Sequence, residues 1–175
     1  MFGFLRSRPG LDAFHQVLSE HGARWYRACL RITGEPSLAE DAVQDALLKA
    51  WHRRTEFRGD AELDTWIHRI ALNAAIDLVR KRRGPIEQDE NPDRHAAPAH
   101  TAPDSQYEAR ALGGHIADSL ERLTQREREA FVLKHLEGWS LEDIAAHQGG
   151  NVNNTKQALF RAVRKLRTDL QAWQG

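Results

Sequence analysis

Residues 57–83, FRGDAELDTWIHRIALNAAIDLVRKRR, contain the strongest secondary-structure signal in the sequence. Their apolar side chains recur at steps of three and four, which predicts a helix from Glu62 to about Arg82 with one buried face. We expect Gly59 and Asp60 to form the turn and the N-cap before it, and Gly84-Pro85 to end it. The apolar face comprises Leu63, Trp66, Ile67, Ile70, Ala71, Ala74 and Leu78.

The polar side of the same helix bears on function. Arg69, Asn73, Asp77 and Arg80 form one stripe, at i, i+4, i+8 and i+11. These side chains carry hydrogen-bonding groups of the kind that read nucleic acid. The spacing alone also fits an ordinary solvated face that ends in a basic cap, so the interpretation depends on the rest of the chain.

An earlier helix is predicted over residues 12–32, with a break near Gly22. Cys29 lies in its apolar row and is interpreted as a small buried hydrophobe. As the only cysteine in the chain, it also excludes an intramolecular disulfide.

A second helix is predicted from Ser37 to about Arg53, opened by the capping-box pattern S-x-x-E. Its core face is predicted to comprise Leu38, Ala42, Val43, Ala46, Leu47, Ala50 and Trp51. The other face carries Asp41, Gln44, Asp45 and Leu48. Because a purely solvated face seldom includes an exposed leucine, this stripe favours a partner-binding surface. Together the three helices predict a small all-α domain over residues 11–83.

The composition changes at residue 84. The segment GPIEQDENPDRHAAPAHTAPDSQ, residues 84–106, holds four of the six prolines and almost no large apolar residue, which predicts an acidic, flexible linker. His95 and His100 lack the carboxylate or thiolate partners of a metal site, so we expect neither metal nor cofactor. Basic and acidic residues number 25 each, so net charge does not decide on nucleic-acid binding. We see no apolar run long enough for a signal peptide or a membrane span, and expect a cytoplasmic protein.

A second helical domain is predicted over residues 107–172. Capping patterns at Thr124 and Ser140 open two helices, Gly149-Gly150 forms a turn, and Asn151 caps a last helix that runs to about Leu170. A short helix, a glycine turn and a longer basic helix are typical of a helix-turn-helix. The residues predicted to face inward are Leu159, Ala162, Val163, Leu166 and Leu170. Those predicted to face outward, toward phosphates or base edges, are Asn153, Asn154, Lys156, Gln157, Phe160, Arg161 and Arg164. An amphipathic helix with a merely solvated basic side is the alternative.

With these elements in order, the chain resembles the extracytoplasmic-function (ECF) sigma factors, two-domain subunits that direct bacterial RNA polymerase to promoters. The resemblance is carried by LAEDAVQDALLKAW at 38–51, by residues 57–83, and by LTQREREAFVLKHLEGWSLEDIAA at 123–146. It implies two small helical domains joined by a flexible linker, a protein without catalytic residues, and an anti-sigma factor as a regulatory partner.

The resemblance also implies roles for individual residues. Asp41, Gln44, Asp45 and Leu48 match the surface that binds the clamp helices of the largest polymerase subunit. Phe57, Arg58, Gly59 and Asp60 match the loop that receives a base flipped from the nontemplate strand of the −10 element. Asn73 matches a −10 contact on the helix, and Arg69, Asp77 and Arg80 share its stripe. Lys156, Gln157, Phe160 and Arg161 match positions that read the −35 element as duplex.

Several positions depart from the family pattern. Gln148, Gly150 and Thr155 stand where aliphatic residues are usual, and Ala158 and Val163 stand where basic residues are usual. We therefore expect a second domain that is either less rigid or binds the −35 duplex more weakly, with a base preference that does not follow that of the family.

Two other classes of function stay open at this point. A conventional helix-turn-helix regulator that binds duplex operator DNA without polymerase would explain residues 140–167 but leaves the first domain without a task. A metal enzyme or an acid-base catalyst would need a ligand set or a pocket that the sequence does not indicate.

Overall fold

The computed structural model of the protein describes residues 9–83 and 117–173, and all regular structure in these ranges is helical. The chain divides into two compact units, Met1–Gly84 and Pro85–Gly175. The predicted linker with His95 and His100, and residues 107–116 of the predicted second domain, lie outside the described residues. The all-α fold with a helix-turn-helix in the second unit is confirmed. Within the described ranges, no helix has the length and apolarity to cross a membrane.

The first unit is a three-helix bundle of α1 (Leu11–Thr33), α2 (Pro36–His52) and α3 (Leu63–Arg83), in which each helix packs on the other two. The predicted break near Gly22 is wrong, since α1 is continuous. A glycine inside a helix costs about 1 kcal/mol, which buried neighbours such as Trp25 and Ile32 readily offset. The absent Cβ at Gly22 also leaves room for Leu18, whose Cδ1 lies 2.9 Å from where that atom would be.

The start of α2 differs from the predicted capping box. Pro36 occupies the first turn, Glu35 is the N-cap residue, and no side chain caps the helix. Because the proline ring fixes φ near the helical value and has no N–H to satisfy, the helix begins before Ser37. The serine hydroxyl is thus displaced from the capping position.

Small residues form the contact face of α2. Four alanines at helical spacing are fully buried, whereas the larger apolar residues predicted to face the core are only half-buried beside them. Since alanine side chains are short, they let α2 approach the other two helices of the bundle closely. The alanines are Ala39, Ala42, Ala46 and Ala50.

Helix α3 begins later than predicted. Its first residue is Leu63, and the Trp66 N–H bonds to the Glu62 carbonyl, which makes Glu62 the N-cap in place of Asp60. Buried positions cover more than half of its circumference, because α1 and α2 both pack against it. The buried residues are Ile67, Ala71, Leu72, Ala74, Ala75, Ile76 and Val79, with Leu63, Trp66, Ile70 and Leu78 half-buried at the margins.

The second unit contains a helical segment at 117–121, α4 (Gln125–Phe131), which continues as a π-helix (Val132–Leu136), then α5 (Leu141–His147) and α6 (Val152–Trp173). The predicted caps are confirmed. Thr124 forms a complete capping box, Ser140 accepts a hydrogen bond from the Asp143 N–H, and Asn151 accepts one from the Asn154 N–H.

The turn between α5 and α6 is a Schellman motif. Gly149 has φ of 63°, its N–H bonds to the Ala146 carbonyl, and the Gly150 N–H bonds to the Ala145 carbonyl. Helix α6 then packs on α4 and α5. Thr155, Ala158 and Ala162 form its buried row. One prediction for α6 is wrong: Leu170, which was expected to face inward, is 39% exposed. Ala158 is fully buried, so this position, where a basic residue is usual, lies in the core.

We predict that Ala46→Leu destabilises the first unit. The added side chain would overpack the fully buried alanine row of α2, at a cost of about 1–3 kcal/mol. Chemical denaturation of the full chain, followed by tryptophan fluorescence, measures this. The matched control is Ala23→Leu on the exposed side of α1, with an expected change within ~0.5 kcal/mol. Equal effects of the two substitutions would contradict close packing at the alanine row of α2.

Candidate partner and nucleic-acid interfaces

The outer face of α2 lies opposite its alanine row. Asp41 and Gln44 are exposed, and Leu48 is 61% exposed, an unusual fraction for a leucine inside a regular helix. Asp45 forms an i,i+4 ion pair with Lys49, at 2.7 Å between Oδ2 and Nζ. The four predicted residues therefore share one surface, which combines two carboxylates with the exposed apolar side chain of Leu48.

The α2–α3 loop is held from both ends. The Phe57 ring packs against Trp66 with 5.3 Å between centroids, so Phe57 is half-buried. Arg54 lies over the Trp51 ring at 4.2 Å, a cation–π contact that fixes the start of the loop. Arg58, Gly59 and Asp60 are exposed between these anchors, and Gly59 has φ of 67°, a conformation that favours glycine.

The polar stripe of α3 occupies the part of the helix that α1 and α2 leave uncovered. Arg69 and Arg80 are exposed, and Arg80 forms an ion pair with Asp77. Asn73 is half-buried, and its Oδ1 is shielded from solvent with no hydrogen-bond partner in the described ranges. The stripe thus presents two cations around a partly recessed amide.

The recognition surface of α6 is opposite its buried row. Phe160 is 69% exposed, a large apolar group held on the surface between polar neighbours. The exposed residues on or beside this face are Asn153, Asn154, Lys156, Gln157 and Arg164. All seven residues predicted to face outward are exposed, which includes Arg161.

Arg161 nevertheless has a structural partner that the sequence reading missed. Its Nε donates to Glu127 Oε1 at 3.1 Å, and Lys165 Nζ donates to Glu127 Oε2 at 2.7 Å. Glu127 is only 2% exposed and also accepts from the Thr124 N–H as part of the capping box. One buried carboxylate on α4 therefore holds two cations of α6. The signal in the sequence was the i,i+4 pair of basic residues, which share one side of α6.

The pKa of Glu127 reflects these opposing influences. Burial by itself would raise the pKa of this carboxyl. Hydrogen bonds from Lys165 and from the Thr124 N–H, the charge of Lys165 and the hydrogen bond from Arg161 together lower it below the usual 4.5. The carboxylate is therefore the form that stabilises the fold.

Histidine, cysteine and carboxylate side chains do not cluster in groups of three or more anywhere within residues 9–83 or 117–173. These ranges therefore offer no set of ligands for a metal ion.

Two protein-family models match the chain, sigma-70 region 2 over residues 17–84 and sigma-70 region 4 over residues 115–166. RNA polymerase sigma factor CarQ of Myxococcus xanthus is 32% identical over 163 residues, which cover 93% of this chain and 92% of CarQ. ECF RNA polymerase sigma factor SigL of Mycobacterium tuberculosis is 35% identical over 159 residues, which cover 89% of this chain and 87% of SigL.

Two solved structures are also similar to this chain. Sigma factor RpoE from Bartonella quintana, in complex with the anti-sigma factor NepR, matches with a TM-score of 0.63 at 27% identity, covering 92% of this chain and 98% of that one. CnrH, in complex with the cytosolic domain of CnrY, matches with a TM-score of 0.55 at 28% identity, covering 93% and 90%.

We predict that Glu127→Gln lowers the free energy of unfolding of the second unit by about 1–3 kcal/mol at pH 7, toward the lower end because both cations are partly solvated. In the parent protein the unfolded carboxyl takes up a proton first as pH falls through about 4.5, so the Glu127 contribution declines below that pH and is lost at the folded pKa. The difference in the free energy of unfolding between the parent protein and the variant should therefore become smaller as the pH falls.

Denaturant melts at several pH values test this. Glu142→Gln, at an exposed position on α5, is the matched control and should change stability by only a few tenths of a kcal/mol. If the difference in the free energy of unfolding between parent and Glu127→Gln stays constant from pH 7 to pH 3, the assigned role of the Glu127 carboxylate is contradicted.

Proposed function

The chain belongs to the ECF group of the sigma-70 family, and we propose that it works by binding alone, without a chemical reaction of its own. It binds core RNA polymerase and directs promoter recognition in transcription initiation. The observation that carries this function is the pair of units: a three-helix bundle matching sigma-70 region 2 and a helix-turn-helix unit matching sigma-70 region 4.

The outer face of α2 is the proposed polymerase-binding surface. An exposed leucine flanked by carboxylates provides an apolar contact together with negative charge, a combination that suits a partner helix with basic residues. We assign Asp41, Gln44, Asp45 and Leu48 to the clamp helices of the largest polymerase subunit.

The loop before α3 and the α3 stripe form the proposed −10 site. A base flipped from the nontemplate strand loses a few kcal/mol of stacking, which contacts in the loop at 57–60 would offset. Because Phe57 is packed on Trp66, we assign it to shaping the loop, with Arg58, Gly59 and Asp60 facing the base. Asn73 contacts the separated strand, and Arg69 and Arg80 attract its phosphates, with Asp77 holding Arg80.

The exposed face of α6 is the proposed −35 site. Asn153, Asn154, Gln157 and Lys156 lie in the N-terminal half of α6, the part that enters a major groove in helix-turn-helix proteins. Phe160 adds an apolar contact of the kind that thymine methyl groups accept, and Arg164 reaches the backbone. We assign Arg161 a mixed role, since Glu127 holds its Nε while the side chain is 46% exposed.

An anti-sigma factor is the proposed regulator. RpoE was solved in complex with the anti-sigma factor NepR, and RpoE is similar to this chain over most of its length. We propose that the partner covers the exposed face of α2, because occupying that surface would prevent polymerase binding. We place the protein in the cytoplasm, where core polymerase and promoter DNA are found.

We predict that Asp45→Arg weakens binding to core polymerase by at least about tenfold, since reversing a charge at an interface turns attraction into repulsion. The fold should tolerate the change, because the exposed Asp45–Lys49 pair contributes only about 0.3–0.5 kcal/mol. Equilibrium binding of labelled protein to core enzyme measures the effect. Glu20→Arg, an exposed charge reversal on α1, is the matched control and should bind normally. Unchanged affinity for Asp45→Arg would show that the α2 face is wrongly assigned.

We predict that Asn73→Ala leaves polymerase affinity intact but lowers open-complex formation about tenfold, as expected from 1–3 kcal/mol for a side-chain contact to a base. Stability should not fall appreciably, because the substitution removes a shielded acceptor that has no hydrogen bond within the protein. Permanganate footprinting of the −10 region reports strand separation. Gln16→Ala, which removes an exposed amide from α1, serves as control. Normal melting by Asn73→Ala would remove this residue from the −10 site.

A further inference from the structure

We propose that Gln148 is a positioning residue that fixes the orientation of α6 on α4 and thereby sets how the recognition face meets the −35 duplex. This inference rests on the proposed role of α6 in DNA binding. Gln148 itself touches no DNA in this scheme, since it lies at the C-cap of α5 and reaches into the unit with its side chain.

The Gln148 amide bridges three helices. Its Nε2 donates to the Arg126 carbonyl at 3.0 Å and lies 3.4 Å from Glu129 Oε2, both on α4. Its Oε1 lies 3.4 Å from the Thr155 hydroxyl on α6. The side chain therefore connects the end of α5 with the first turn of the recognition helix and with the helix that carries both.

Two of the residues that the Gln148 amide contacts are buried, so the geometry of these hydrogen bonds matters. Thr155 has no exposed surface, and Glu129 is 8% exposed and accepts from Gln125 Nε2 at 2.9 Å. Polar groups in such a site need partners at defined distances and angles, whereas apolar contacts tolerate sliding. Where aliphatic side chains would allow α6 to rotate slightly, the amide specifies one arrangement.

Gly150 completes the arrangement. A Cβ at this position would come within 2.4 Å of an Arg126 guanidinium nitrogen, so the arginine occupies the space that a side chain would need. The Arg126 side chain thus lies against the turn while its carbonyl accepts from Gln148. Arg126 therefore lies near both positions, with its flexible guanidinium end beside Gly150 and its carbonyl bonded to Gln148.

If the Gln148 amide is lost, the Thr155 hydroxyl still has a hydrogen-bond acceptor. The hydroxyl has a single proton, which can go to Gln148 Oε1 or to the Asn151 carbonyl 3.3 Å away on the same helix. A variant that lacks the amide is therefore expected to fold with α6 intact but less firmly oriented. Such a variant distinguishes a role of Gln148 in positioning α6 from a role in folding of the unit.

The test uses Gln148→Glu, Gln148→Leu, and Gln148→Glu combined with Glu129→Gln. The first replaces a donor by a carboxylate that faces Glu129 and the Arg126 carbonyl. The combination restores a donor–acceptor pair between positions 129 and 148. Gln16→Leu, at an exposed site on α1, is the matched control for Gln148→Leu.

Two readouts are needed on the full chain. Amide hydrogen exchange in residues 155–162 reports the anchoring of α6 without DNA. Discrimination by the holoenzyme between promoters with intact and scrambled −35 elements, well below the unfolding temperature, reports its alignment. For Gln148→Glu we expect exchange to be about tenfold faster and discrimination to fall about five- to tenfold, the effect of roughly one net hydrogen bond. Gln148→Leu should show a smaller loss in both, and core-enzyme affinity should not change.

Partial recovery of both readouts in the combined variant, limited because the Arg126 carbonyl still faces a carboxylate, is the result that a merely destabilising substitution would not give. Unchanged exchange and discrimination in Gln148→Glu, or no recovery with Glu129→Gln, would overturn the inference. If the parent holoenzyme itself ignores the −35 sequence, the proposed role of α6 fails, and hydrogen exchange alone then decides whether Gln148 anchors the helix.

Discussion

The close packing of α3 between α1 and α2 is the constraint on which the first unit depends. Because a row of alanines lets α2 pack closely in the bundle, buried positions cover more than half of the circumference of α3. The polar stripe lies on the part that remains uncovered. The same row turns the carboxylates and Leu48 of α2 outward. The packing of the bundle thereby places both the proposed polymerase surface and the proposed −10 surface.

In the second unit, polar contacts orient the recognition helix α6. Its recognition helix has a narrow buried row of small residues, which by itself leaves orientation loosely determined. The Glu127 carboxylate holds α6 at Arg161 and Lys165, and Gln148 holds it at Thr155. These two attachments lie on α6 within about ten residues, so the face that carries Gln157 and Phe160 has little freedom to rotate.

The sequence predicted most of the architecture because helical periodicity, capping residues and glycine turns are local signals. The caps at Thr124, Ser140 and Asn151 are examples. Predictions failed where non-local packing competes with a local pattern: Pro36 displaced the Ser37 cap, and buried neighbours kept α1 intact through Gly22. The Glu127 and Gln148 contacts join residues seven to 38 positions apart, and no periodicity encodes such pairs. Most of the assigned site residues are exposed, whereas Asp45, Phe57, Asn73 and Asp77 are half-buried, and the roles of all of them stay predictions.

Promoter binding with and without core polymerase tests the central claim most directly. A gel shift of the full chain on a library of duplex promoter fragments should give little complex when the protein is alone. Addition of core polymerase should give a specific complex whose −10 region is strand-separated. An equally strong and sequence-specific shift of intact duplex by the protein alone would contradict a promoter-specificity subunit and indicate a conventional operator-binding regulator.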